Sequence, residues 1–164
     1  MASESDRIEK KVELRAPIER VWRAVSDATE FGRWFGVQFD GPFVAHTQVT
    51  GRMRTTEVDA NVAKAQEPYA GMKFEFTVER IVPPRLISFR WHPFAIDPTV
   101  DYSHEPTTLI VFELTAQGDG TLLTITESGF DRIPLERRVK AFTMNAEGWN
   151  MQASLIAKYL AHAP

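Results

Sequence analysis

The chain has no cysteine. That absence removes a disulfide framework, a thiolate zinc site and a cysteine nucleophile together, and it suits a reducing compartment. Long apolar runs are missing as well: none approaches the roughly 20 residues that a membrane-spanning helix needs. Residues 1–6 (MASESD) are polar and lack the apolar segment of a secretory leader. The expectation is a cytoplasmic protein with no membrane span, whose residues 1–6 are disordered.

No block of lysine or arginine stands out, and the formal net charge is −3. Nucleic-acid binders carry a basic footprint, so a nucleic-acid partner is not expected. There is no GxGxxG, no P-loop and no HExxH. Ser128-Gly129 follows an apparent strand, but no nucleophile elbow surrounds it. Repeats and low-complexity segments are also lacking. No cofactor, no resident metal and no catalytic residue are therefore assigned.

What is present is ordinary globular material. The length of 164 residues fits one domain, 1–164, able to bury about two-thirds of its unfolded surface. Apolar residues alternate over 8–14 (Ile8, Val12, Leu14), giving a first strand with one solvated side. Pro17 suits a first helical position, and Ile18, Val21, Trp22 and Val25 follow at helical spacing. Asp27 or Thr29 can cap a second short helix holding Phe31, Trp34 and Phe35, with Gly36 as its stop.

Strand patterns then take over. Short segments at 37–39 and 47–55 precede a stretch, 58–70, without a clear period, which reads as a loop with at most one helical turn. Met72, Phe74, Phe76 and Val78 alternate cleanly, Pro83-Pro84 makes a turn, and Ile87, Phe89 and Trp91 resume. Ile110, Phe112 and Leu114 share a face; Gly118-Asp119-Gly120 makes a hairpin; Leu123 and Ile125 point inward on the last strand. Strands joined by short turns imply an antiparallel meander. One long connection, 92–106, carries three prolines, two histidines, Asp97, Asp101 and Tyr102. A loop of that length is either a binding element or lid, or a tolerated insertion.

From about 134 to 162 the spacing predicts one long amphipathic helix. Leu135, Val139, Phe142, Ala146, Trp149, Ala153, Ile156 and Leu160 form its core stripe, and Glu136, Lys140, Glu147, Ser154 and Lys158 its solvated side. Gly148 in its interior costs about 1 kcal/mol against alanine. Close approach of another backbone would account for it; simple tolerance is the alternative. Met144, Met151 and Leu155, with Tyr159 nearby, form a second streak. It reads as scattered surface residues, or else as a homodimer contact or packing under the N-terminal helices.

Five segments carry a family resemblance: Ala16-Pro17-Ile18-Glu19-Arg20-Val21-Trp22, Trp34-Phe35, the strand 87–91, TLLTITESGF over 121–130, and Glu147-Gly148-Trp149. Together they resemble the START-like, or SRPBCC (birch-pollen-allergen-like), superfamily. The closer likeness is to the branch named for the activator of the ninety-kilodalton heat-shock protein ATPase, and it spans nearly the whole chain. The resemblance implies an α+β helix-grip fold: a curved antiparallel sheet wrapping a long C-terminal helix, with two short helices after the first strand and a cavity inside. Relatives include binders of lipids, hormones and polyketides, cyclases, and a chaperone-assisting domain. A further N-terminal chaperone-binding domain is not seen here, which weakens the chaperone-partner reading.

The candidate ligand-binding residues are Trp34, Phe74, Phe76, Phe89, Trp91, Phe112, Glu127, Phe142 and Trp149, on expected inward faces. An apolar concavity with few polar groups is how small-molecule sites are built, although aromatic cores look the same in sequence. Glu127 has two placements open to it. Strand parity with Leu123 and Ile125 points it inward, where it could serve as a general acid or base. A twist at the strand end would instead give it to solvent or to Arg52 or Arg90, and this is the default. The histidines are His46, His92, His104 and His162; His92 and His104 could meet Asp97 or Asp101 around a metal, but surface loop histidines are the commoner case.

Three functions follow as expectations. The first is a protein binding a hydrophobic, lipid- or polyketide-like small molecule between sheet and last helix, oriented by Glu127, Arg52 or His92. The second is a polyketide cyclase- or dehydratase-like enzyme, and the third a chaperone-activating interaction module working through the Met144–Met151–Leu155 streak.

Overall fold

The computed structural model describes residues 6–97 and 99–162. Seven strands, β1 (Arg7–Leu14), β2 (Val37–Phe39), β3 (Thr47–Met53), β4 (Lys73–Val82), β5 (Leu86–Trp91), β6 (Thr108–Gln117) and β7 (Gly120–Ser128), form one sheet in the order β1-β7-β6-β5-β4-β3-β2. All pairings are antiparallel. A bulge between Val78 and Arg80 shifts the β4–β5 register, a device that bends a strand and deepens twist. Helices α1 (Ile18–Ser26) and α2 (Ala28–Phe35) follow β1, α3 (Ala60–Gln66) follows β3, and α4 (Leu135–His162) ends the chain. This is the α+β helix-grip arrangement that the sequence resemblance implied.

Local chemistry sets these boundaries. The side chain of Asp27 accepts from the backbone N–H of Glu30 and caps α2; Gly36, at φ 99°, closes it in the left-handed region that glycine enters freely. The indole N–H of Trp34 donates to the carbonyl of Ala24 at 3.0 Å, which locks α2 to α1. Helix α3 replaces the expected loop at 58–70. None of its side chains is buried, so it has no apolar period to read. Its start is fixed by Asp59, which accepts from the backbone of Asn61 and Val62 and pairs with Lys158 of α4. The Lys158 hydrogen bond first, then that of Val62, holds the Asp59 carboxyl below its ordinary range.

The tail behaves differently from the expectation at one residue. Residues 1–5 lie outside the described residues, but Asp6, placed in the disordered segment, is buried and accepts from the backbone N–H groups of Gly129 and Asp131.

The long helix is where the sequence reading needs correction. Leu135 and Val139, assigned to the core stripe, are 71% and 72% exposed. Leu155 of the second streak is fully buried, and Tyr159 nearly so, so that streak is not a scatter of surface residues. The phenol of Tyr159 donates to Glu30 of α2 at 2.7 Å, and Arg20 of α1 lies over its ring. Packing under the N-terminal helices is therefore the correct alternative there. Burial removes the phenol from water and, with the Glu30 bond, raises its pKa.

The buried face runs between the two streaks, roughly a quarter turn from the expected stripe at 100° per residue. Its midline is Ala141, Asn145, Gly148, Gln152 and Tyr159, and the three in the middle, Asn145, Gly148 and Gln152, are residues that a hydropathy count passes over. In the first two turns that face is filled by Arg137 and Arg138, which explains why Leu135 and Val139 turn away. Arg137 donates to both oxygens of Glu105, as close as 2.6 Å, and to the carbonyls of Pro93 and Phe94, while Tyr102 stacks on its guanidinium at 4.7 Å. The 92–106 loop is thus clasped to α4. Arg137→Ala is expected to speed hydrogen exchange at 93–105 by tenfold or more in order of magnitude, corresponding to about 1.5–3 kcal/mol for charge-assisted bonds, while core amides keep their protection.

Candidate functional site

The interior of the grip is filled by rings. Phe31 of α2 lies at the centre, with centroids of Trp34 at 4.8 Å, Phe35 at 5.0 Å, Phe43 at 5.5 Å, Phe89 at 5.9 Å and Phe112 at 6.0 Å. Phe76 stacks on Phe89 at 4.3 Å, and Phe74 stands edge-on to Phe76 at 5.2 Å. Of the nine candidate residues, Trp34, Phe74, Phe76, Phe89 and Phe112 lie in this packed cluster. Phe142 sits apart, edge-on to Phe130 at 5.1 Å.

Trp91 and Trp149 are placed otherwise. They line a recess of about 80 Å³ together with Phe35, Asn145, Gly148 and Gln152. It opens where the end of α2, the end of β5 and the middle of α4 meet. The ring centroids of Trp91 and Trp149 are 5.9 Å apart, and Phe35 lies 6.5 Å from the first and 6.1 Å from the second.

Glu127 lies behind the two indoles and is fully buried. The default expectation, solvent or an arginine, is wrong. Arg90 pairs with Glu79 at 3.3 Å, and Arg52 donates to the carbonyl of Gly71 on the exposed side of β3. Strand parity wins because donors wait inside. The indole N–H groups of Trp91 and Trp149 donate to Glu127 at 2.7 and 2.8 Å, the hydroxyl of Thr108 at 2.6 Å, and the amide of Asn145 to both oxygens at 3.0 and 3.1 Å. Two neighbouring strands, β5 and β6, and the facing helix converge on this one side chain of β7. Indole and amide N–H groups can only donate, so the partner set is that of an acceptor-only carboxylate.

Two further features of the recess were not assigned from sequence. Gln152 is 7% exposed; its amide nitrogen donates to the carbonyl of Phe35 at 3.2 Å, while its Oε1 is buried without a partner. Gly148 borders the recess, and a Cβ built there meets nothing within 4 Å. No backbone approaches it, so the close-approach explanation for this glycine is not met. A glutamine among apolar helical residues gives no sequence signal of a missing partner; Gly148 stands out in the sequence as a cost to the helix and as part of the Glu147-Gly148-Trp149 segment, not as the border of a recess.

His92 turns its Nε2 to the carbonyl of Glu105 at 3.1 Å, and His104 lies 3.9 Å from Asp101 on the exposed loop. The two do not converge, and no set of three metal-ligating side chains is found among the described residues. No helix among the described residues is long and apolar enough to cross a membrane. A larger recess, about 450 Å³, opens beside Glu13, Arg15, Gln117 and Asp119 at the β6–β7 turn. It is polar and lies at the other end of β7 from Glu127.

Sheet, final helix and the small aromatic recess between them define a helix-grip protein of the START-like, SRPBCC type. The chain belongs to the family described as Activator of Hsp90 ATPase homolog 1-like protein, whose model matches residues 15–161. Solved structures agree on the fold. DynU16, a protein of the dynemicin biosynthetic locus, is similar at 22% identity and a TM-score of 0.67 over 96% of this chain, which spans 48% of DynU16. A protein from Arthrobacter aurescens is similar at 17% identity and a TM-score of 0.71, with 96% of this chain and 87% of that one covered. CalU16 from Micromonospora echinospora is similar at 18% identity and a TM-score of 0.60, with 99% and 82% covered. Comparison with curated proteins finds no significant match.

Proposed function

We propose that the chain binds a small apolar or amphipathic molecule at the Phe35–Trp91–Trp149 recess, between the sheet and α4. Gly148 carries this reading. A glycine inside a 28-residue helix costs about 1 kcal/mol against alanine, and no packing contact requires it. What it does is keep the edge of an aromatic recess open. Pockets for drug-sized ligands hold about 300–1,000 Å³, so a lipid- or polyketide-like ligand enters this smaller recess by one end. Trp91 and Trp149 supply the apolar contact; the rest of the ring cluster is the rigid wall behind them. DynU16 belongs to a biosynthetic locus, which is in keeping with small-molecule chemistry.

The enzyme reading is less well supported. Its requirement for an inward ionisable group is met by Glu127, but all the described partners of that carboxylate are structural donors, and the indoles stand between it and the recess. The chaperone-partner and homodimer readings relied on the Met144–Met151–Leu155 streak, of which only Met144 is exposed.

Gly148→Ala is expected to raise stability by up to about 1 kcal/mol, read as a shift in denaturation midpoint. Gly148→Phe should fold and plug the recess. Fatty acids, alkylamines, flavonoids and polyketides screened by melting temperature and tryptophan fluorescence should give hits that Gly148→Phe loses. Silence across such a library, or hits that Gly148→Phe retains, would sink the reading.

A further inference from the structure

We infer that the recess selects an organic cation: the protonated amine head of its ligand, with an N–H directed at Oε1 of Gln152. The inference rests on the recess being a ligand site and names the chemistry it prefers.

The first support is the unmet acceptor. Gln152 is more than nine-tenths buried, its amide nitrogen is committed to Phe35, and its Oε1 faces no donor. A buried acceptor without a partner is uncommon in folded proteins and is satisfied by a donor brought from outside. A ligand that presents an N–H or O–H supplies that donor.

The second support is charge. The recess is walled by the rings of Phe35, Trp91 and Trp149, whose π faces carry negative potential. Both indole N–H groups are spent on the Glu127 carboxylate, at 2.7 and 2.8 Å. Donating to an anion pushes electron density back into the ring, which strengthens its face toward a cation. The other partners of Glu127, Thr108 and Asn145, are neutral, and no salt bridge among the described residues reaches it. No lysine, arginine or histidine lines the recess. The recess thus combines three aromatic rings and a free amide oxygen, with a carboxylate behind two of the rings and no positive group of its own.

These features rank ligand heads. An ammonium group satisfies Gln152 and gains from the field. An alcohol satisfies Gln152 alone. A carboxylate meets an acceptor and a like charge, so a fatty acid is refused head-first. The volume of about 80 Å³ admits a head group, with the apolar remainder leaving past Gly148, where the helix edge is open.

The test is a matched series on the whole chain: n-hexylammonium, 1-hexanol and hexanoate at constant ionic strength, followed by tryptophan fluorescence and melting temperature. Hexylammonium is expected to bind on the order of tenfold tighter than hexanol, and hexanoate to give no response. Gly148→Phe should abolish binding of both. Glu127→Gln should draw the ammonium-to-alcohol ratio toward one; Trp149→Phe, which keeps a ring face but removes one N–H to Glu127, should lower it part of the way. Hexanol binding as tightly as hexylammonium in the unmodified protein overturns the cation preference and leaves the site standing. Silence from all three probes also overturns it, and the broad library then decides by itself whether the recess is a site.

Discussion

Replacing Glu127 with alanine is expected to destabilise the protein by about 3–5 kcal/mol, one of the largest single-residue losses in the chain. The cost is not the lost carboxylate alone. The hydroxyl of Thr108 and the indole N–H of Trp149 are buried, with side chains 0% and 3% exposed as residues, and both would be stranded without an acceptor. Each stranded group costs about 1–3 kcal/mol. For a domain of this length the melting temperature should fall by roughly 10 °C. Thr108→Val, which removes one donor and keeps the shape, should cost only about 1 kcal/mol. In the double variant the two losses should fall short of their sum, because the hydroxyl is no longer there to be stranded. Chemical denaturation of the four proteins measures this directly; additive losses would show that Glu127 is not the hub of a shared network.

Phe31→Ala should cost a similar amount, about 3–5 kcal/mol, for a different reason. Phe31 is 1% exposed and touches rings from α2, β4, β5 and β6 as well as Phe43. Its removal leaves a void about the size of a benzene ring with walls that are aromatic and mutually braced, so they close in poorly. Dry apolar voids of this kind take up benzene. Saturating benzene is therefore expected to restore part of the lost melting temperature in Phe31→Ala and to leave the parent unchanged. Equal effects on both would mean that the cluster collapses into the gap.

The strands and the last helix were legible because their apolar residues repeat at 2 or near 3.6, and Phe74–Phe76–Val78 or Leu123–Ile125 can hardly be read otherwise. The order of the strands was partly hidden: no local pattern says that β1 lies beside β7. Helix α3 was hidden because none of its side chains is fully buried and only Val62 packs against the core. The largest miss, the orientation of α4, came from the site itself. Asn145, Gly148 and Gln152 occupy the middle of its buried face, so two apolar flanks looked like two separate stripes. Asn145 holds Glu127, and all three border the recess. Where hydropathy failed, polar contacts had replaced apolar packing: Asn145 bonds to Glu127 on β7, and Gln152 to the carbonyl of Phe35, 117 positions away in sequence. Glu127 could be proposed from strand parity, but only the four donors decide which way it turns.

The pairing of β1 with β7 also has a consequence for the order of assembly. Asp6 bonds to Gly129 across 123 positions of chain, and every β1 rung is of comparable span. Contacts this distant form only after a large loop has closed, which slows folding. On the ribosome the first strand is made early and waits, unpaired, until nearly the whole sheet has been synthesised. Lys10, Lys11, Glu9 and Glu13 then serve the nascent chain as much as the finished one: charges along an unpaired strand discourage it from joining the wrong edge.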